Sequence, residues 1–358
     1  MSAPMVLLET VSPNGGVLAV VEQDADTCYF YLKGDDPDFG IKSCWVRNLR
    51  TAPEQIDVAR MREGIPPMLP RGVCRHPAGA PPLSGEKLKI VWSEEGDSAA
   101  LEDEAGLLAI IPLWSGRDGF SGYARDCVGE TPLCWALGTA ETNVQFERFR
   151  RAAEFWHSWD GKVWPAFQSA GCVAVTRALG VYSNYYAIDG GNWPPKALLR
   201  IPRNADVLLV TVGVALRPQP GAELHYEDPS PHRRIELGAV VDAAVGDAAV
   251  KRVASYLSAQ SCYPWERHTF FGDGHTMPAD VFAELSGGRL SFALFLAKPP
   301  GVPAVNFPSF RGDPVTLLWM IPISAKEQLF AEEHASAALV ARLALTARPS
   351  SFDRAPVV

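Results

Sequence analysis

Apolar residues fall in short runs along the first third of the chain. VLAVVE (17–22) and TCYFYLK (27–33) flank the polar QDAD, a pattern that predicts a β-hairpin. LKIVWS (88–93) and GLLAII (106–111) read as two further strands flanking the acidic stretch EEGDSAALEDEAG. The proline-rich GIPPMLPRGVCRHPAGAPPL (64–83) can form neither helix nor central strand, because proline lacks the N–H group both need. Its apolar Met68, Leu69, Val73 and Cys74 predict an ordered loop.

The period changes at Thr142. Thr142 and Gln145 have the spacing of a capping box, and Phe149, Ala152, Ala153, Trp156 and Trp159 follow at helical intervals until Gly161. Beyond this helix, CVAVT (172–176), ALLRI (197–201), VLLVTVGV (207–214), IELGAVV (235–241), RLSFALFLA (289–297) and PVTLLWMI (314–321) are candidate strands. VLLVTVGV has so few polar positions that it predicts a strand covered on both faces. One helix is expected from Asp247 as N-cap, with Val250, Val253, Ala254 and Leu257 on its inner face. A second is expected from the capping box of Ser324 and Glu327 through Leu329, Phe330, Ala337 and Leu339 to Leu343.

Strands outnumber helices and do not alternate strictly with them, which points to an α+β fold. The expected plan is a β-rich N-terminal domain (1–141), a junction helix (142–161), a mixed sheet with flanking helices (162–347) and a C-terminal tail (348–358). A length of 358 residues is enough for two cores, and 30 prolines with 30 glycines fit a turn-rich β plan.

Charge and cysteine usage narrow the class. A net charge of −8 disfavours sequence-independent nucleic-acid binding, so no nucleic-acid partner is expected. The seven cysteines are scattered with no C-x-x-C spacing, which predicts reduced thiols and a cytoplasmic location. MSAPMVLLETVS lacks the features of a signal peptide, and no apolar run approaches the ~18 residues of a membrane helix.

The common catalytic signatures are missing: no G-x-S-x-G, Walker A loop, G-x-G-x-x-G after a strand or H-E-x-x-H. His225 and His232, with Glu227 or Asp228, could recruit a metal, but a solvated loop is the simpler reading. His268 and His275 flank FFGDG and could share a cation with Asp273; an ordinary turn is again simpler. Ser121, Asp126 and Cys127 carry nucleophile or base chemistry with no histidine nearby in sequence. Tyr185 and Tyr186, near Asp189 and Trp193, suit a groove or a core equally. No cofactor, metal or catalytic residue is therefore assigned.

The order of motifs in the second half carries more. VTVGV with Arg217 and Pro218, then Gly274 to Pro278 (GHTMP), then the strand-to-helix corner Ile321 to Glu327 (IPISAKE) follow one another over about 180 residues. In that order they resemble the suppressor-of-fused domain family, in its bacterial form. The chain departs from the family where Val214, Ala215 and Leu216 replace a Met-Ser-Asp run, and in SCYPWERHTFFGDG. The resemblance implies binding rather than catalysis, with a partner peptide added as a strand in a cleft between two domains. It places Tyr256 and Asp273 at peptide-contacting positions, with His275 and Trp265 beside them, and it implies an immunity-like role against a toxin. The expected surface is lined by the 263–278 and 66–82 loops. The rival expectations are a metal-dependent or hydrolytic enzyme using His268, Asp273 and His275, and a regulatory subunit of a fixed complex.

Overall fold

Neighbouring apolar runs pair with one another from the start of the chain. Strands β1 (Met5–Val11), β2 (Val17–Gln23), β3 (Thr27–Gly34) and β4 (Ile41–Asn48) form an antiparallel meander in chain order. The hairpin of β2 and β3 turns on Asp24, whose Oδ1 accepts from the N–H groups of Asp26 and Thr27, both at 2.7 Å. The computed structural model describes residues 4–358 and divides into two units. The first comprises the chain up to Trp159 together with Trp265–His268; the second comprises Asp160–Pro264 and Thr269–Val358.

A second sheet in the first unit runs β5 (Lys89–Trp92), β6 (Ala99–Asp103), β7 (Gly106–Ile111), β8 (Tyr123–Ala124) and β9 (Trp135–Ala136), with the last pair parallel. Strand β6 lies inside the acidic stretch that gave no strand signal. Its Ala99, Ala100 and Leu101 are buried while Glu102 and Asp103 stay partly exposed, so the charges sit at its wet end. After the short α1 (Val58–Arg62), the proline-rich segment is irregular but pinned. Asn48 accepts from Leu69 N at 3.0 Å and donates to Leu69 O at 2.8 Å, and Tyr29 Oη donates to Pro67 O at 2.6 Å.

Helix α2 (Gln145–His157) buries Phe149 against Val91, Ala100, Ile110 and Leu137. Its start departs from the expected capping box. Thr142 Oγ1 turns back to bond Thr139, and Asn143 Oδ1 accepts from Gln145 N at 3.0 Å instead. A hydroxyl engaged two residues before the N-cap, Val144, cannot cap the helix.

The second unit opens with α3 (Val163–Leu179), which takes in the CVAVT run expected to be a strand. Its buried residues Phe167, Gly171, Val175 and Leu179 recur every fourth position, the spacing of one helix face, and override the β-branched content of the short run. A seven-stranded sheet follows, built from β10 (Asn184–Ala187), β11 (Ala197–Arg203), β12 (Asp206–Val212), β13 (Arg234–Asp242), β14 (Thr276–Pro278), β15 (Phe292–Leu296) and β16 (Val315–Ile323). Its spatial order is β10-β11-β12-β13-β16-β15-β14, antiparallel except for the central β13–β16 pair. All nine residues of β13 are buried, as are the last six of β12.

The remaining helices are α4 (Ser230–Arg233), α5 (Asp247–Gln260), α6 (Tyr263–Glu266), α7 (Asp280–Leu285), α8 (Ala325–His334) and α9 (Ser336–Leu343). Helix α5 is capped by Gly246, and Asp247 is its first residue rather than its cap. The Ser324–Glu327 capping box forms as the sequence spells it. The helix it starts is broken at Ala335, whose φ of 68° lies outside helical space, so the expected single helix is two. The last residues are strapped down: Phe352 is buried, and Arg354 donates to both Glu327 oxygens and to Pro322 O. The fold is mixed α+β with a β-rich N-terminal region.

Candidate functional site

Residues 270–275 form a turn that leads into β14, and the rest of the second unit shows why it is held so firmly. Glu236, fully buried on β13, accepts from Thr211 Oγ1 at 2.6 Å and from the N–H groups of Gly213, Val214 and Ala215 at 2.7, 3.3 and 3.2 Å. Successive N–H groups converging on one carboxylate form an anion nest. Gly213 is required there, with φ 112° and a hypothetical Cβ only 2.4 Å from Pro195 O. Burial pushes the Glu236 carboxyl up to about 7, against the opposing pull of these bonds.

Arg234, also buried, donates to Ala215 O and Leu216 O at 3.1 Å and pairs with Asp313 at 2.9 Å. The segment leaving β12 is thus fixed by two side chains of β13. It delivers Gln219, whose Oε1 accepts from Phe271 N at 2.8 Å while its Nε2 donates to Phe271 O at 3.0 Å and His232 O at 2.9 Å. The segment that follows VTVGV and the turn that precedes GHTMP are therefore joined through Gln219, a residue that sequence reasoning passed over.

Within the turn, Gly274 has φ 87°, its N–H bonds Phe295 O at 2.7 Å, and its carbonyl accepts from Ser336 Oγ at 2.7 Å. Asp273 is exposed, and its Oδ1 accepts from Ala297 N at 2.8 Å rather than closing on its own loop. Tyr256 projects from α5 and donates its hydroxyl to Pro278 O at 3.1 Å, at the end of β14. Trp265 is buried and counts with the first unit. His275 is half-buried with its ring 5.0 Å from that of Phe270; burial and the neighbouring His225 and His232 hold its pKa below the usual imidazole range.

The histidines regroup. The sequence pairs His225 with His232 and His268 with His275. In the fold His225, His232 and His275 surround Tyr226 and Phe270, with Tyr226 and His232 stacked at 3.6 Å. His268 lies in the first unit against Phe39, at 4.5 Å, so the trio of His268, Asp273 and His275 does not share one unit. Among the described residues no group of three or more His, Cys, Asp or Glu side chains is placed to hold a metal ion.

The 119–129 loop is likewise occupied by structural bonds. Ser121 donates to Pro132 O at 2.6 Å; Asp126 pairs with Arg47 at 2.8 Å and faces His76 at 3.6 Å. Cys127 bonds toward Cys134, which with nearby backbone groups lowers its thiol to about 7, but it is buried at 1% exposure. A histidine does stand beside Asp126, from a distant part of the chain, yet the thiol offers no access to a substrate.

What remains is a rigid turn presenting an aspartate beside β14, the end strand of a mixed sheet. That is the anatomy of an interaction domain: charge and strand edge at the surface, buried polar groups used to brace them. Residues 193–355 match the model of the suppressor of fused protein (SUFU) family, a protein-interaction family, and the chain carries a suppressor-of-fused-like domain over that segment. A chain of the crystal structure of the Sufu–Fu complex is similar at 14% identity and a TM-score of 0.37, covering 52% of this chain and 92% of its own. No curated protein matches the chain. Among the described residues no helix is long and apolar enough to cross a membrane.

Proposed function

We propose that the chain is a non-enzymatic protein-binding module that sequesters a partner, in the manner of an immunity protein neutralising a toxin. The observation that carries this reading is the placement of exposed Asp273, braced through Gly274 and Gln219, next to the three-residue end strand β14. An extended partner segment would pair with β14, and a basic side chain of that segment would meet the Asp273 carboxylate. Tyr256 and His275 flank the same edge and would shape the contact. Trp265, buried at 3% exposure, would support the site from beneath the surface.

The test is affinity capture from the native host, wild type beside the Asp273→Ala, Tyr256→Ala double variant, read by mass spectrometry. One stoichiometric protein lost in the variant supports the reading, and rescue of growth when that protein is expressed with and without the chain assigns or removes the immunity role. A partner retained fully by the double variant, or no partner under several growth conditions, would refute the site.

A further inference from the structure

The opposite end of the same sheet is built differently. Strand β10 pairs only with β11 among the described residues, and all four of its residues are exposed. Natural edge strands are usually blunted by lysine, proline or a bulge. Asn184-Tyr185-Tyr186-Ala187 carries none of these, and its register with β11 is unbroken.

Each face of this edge opens onto a groove. Successive side chains of a strand point to opposite faces. Tyr186, opposite Leu198, borders a groove of about 570 Å³ against α5, with Leu209, Val250, Arg200 and Lys251 among its walls. Tyr185, opposite Leu199, borders a groove of about 550 Å³ against α3, with Val173 and Arg177 among its walls. An added strand would send alternate side chains into one groove and then the other.

Charge selects the occupant. Neither groove has an acidic side chain in its wall, in a protein whose net charge is −8. Arg200 and Lys251 share the Asp247 carboxylate at 2.6 and 3.4 Å, which leaves one positive charge uncompensated there. Arg177 is exposed and pairs with no carboxylate among the described residues. Beside β14 stands the exposed carboxylate of Asp273, in contrast to the acid-free walls at β10.

We propose that β10 is a second docking edge, which takes an extended acidic segment of another protein as an eighth strand, its apolar and acidic side chains divided between the two grooves. This site is independent of the one around Asp273.

The experiment uses the full-length chain and a set of short fluorescein-labelled peptides in which valine or threonine alternates with glutamate, glutamine or lysine. Anisotropy should show the glutamate peptides binding at least about tenfold more tightly than the lysine ones. The Arg177→Glu, Lys251→Glu double variant, altering two exposed side chains, should reverse that order, while Asp273→Ala should leave it unchanged. Hydrogen exchange should show new protection at residues 184–187. Failure of every glutamate peptide to bind, protection at 276–278 instead, or indifference to the charge reversal would overturn the proposal. So would concentration-dependent dimerisation abolished by Tyr185→Ala with Tyr186→Ala, since the edge would then belong to a second copy.

Discussion

Gln219 holds both backbone polar groups of Phe271, accepting from its N–H at 2.8 Å and donating to its C=O at 3.0 Å. Both Gln219 and Phe271 are buried, so no water is ready to replace the amide. Gln219→Ala leaves the buried N–H and C=O of Phe271, together with the part-buried His232 carbonyl, without their partner, each buried group costing roughly 1–3 kcal/mol. The expected outcome is a loss of about 2–4 kcal/mol in urea unfolding, together with faster exchange of the 270–275 amides. Gln219→Glu keeps the acceptor but sets a buried carboxyl against the Phe271 and His232 carbonyls, so it should cost at least as much as alanine. A variant as stable as wild type would show that the clamp does not hold the turn.

Gly274 supplies a second test of the same turn. Its φ of 87° is strained for any other residue, and a Cβ would lie 2.9 Å from Ser336 Oγ. Gly274→Val should destabilise by about 2–3 kcal/mol, from the left-handed backbone and the clash together. Gly272→Ala, whose added carbon would meet His275 and Tyr226 at 3.1 and 3.2 Å, should cost less because those rings can shift. Thermal unfolding of the pair decides it; equal effects would contradict the assignment of strain to Gly274.

How much of this was legible in the sequence depends on the range of the signal. The strands from ALLRI to PVTLLWMI were readable because burial on both faces leaves long apolar runs. The Ser324–Glu327 cap was readable because both partners lie within one turn. CVAVT misled because its pattern is strand-like over five residues and only Phe167, Gly171, Val175 and Leu179 together reveal the helix face. The gathering of His225 and His232 with His275 joins positions more than forty residues apart, and no local spacing encodes it. Gln219 sits between two prolines with nothing in PQP to mark it as the brace between two motifs.

Buried Glu236 and half-buried His268 give opposite pH signatures. Burial raises the Glu236 carboxyl to about 7, so between about 4.5 and 7 the native state keeps a proton that the unfolded chain releases. Its contribution is full at the acid end and is lost as pH rises through 7. His268 is lowered to about 4, chiefly by burial and secondly by Lys42, with Asp36 opposing. There the unfolded chain takes up a proton the native state refuses, so stability is lost as pH falls from about 6.5 toward 4. Relative to wild type, Glu236→Gln should gain with rising pH, by up to about 1.4 kcal/mol per pH unit, whatever its offset at one pH. His268→Asn should gain with falling pH. Urea midpoints at several pH values check both, and curves parallel to wild type would rule out the titrations.

Arg354 and Glu327 tie the end of the chain to the sheet. Burial alone would raise the Glu327 carboxyl, but Arg354 and the N–H groups of Ser324 and Val357 hold it below the usual range. Arg354→Ala strands a charge with no exposure, and breaking such a pair costs about 3–5 kcal/mol. The Arg354→Met, Glu327→Gln double variant should recover part of that loss, because a neutral amide needs no counter-charge and its oxygen can still accept from a backbone N–H. If the single variant unfolds no more easily than wild type, the terminal strap contributes nothing to the domain.

Asp273 should separate binding from folding. Its Oδ1 accepts one bond from Ala297 N, and its exposed position keeps the rest of the carboxylate in water. Removing that bond should cost only about 1 kcal/mol, because water can replace the acceptor at an exposed N–H. Asp273→Asn retains an acceptor for Ala297 and loses only the charge, so its stability should match wild type within about 0.5 kcal/mol. Binding should respond in another order: both substitutions weaken capture of a partner that presents a basic side chain, and raising the salt narrows the gap by screening. Stability from urea unfolding and affinity from titration calorimetry, measured on the same preparations, decide the matter. Asp273→Asn binding as tightly as wild type would show that the carboxylate braces the turn and recognises nothing.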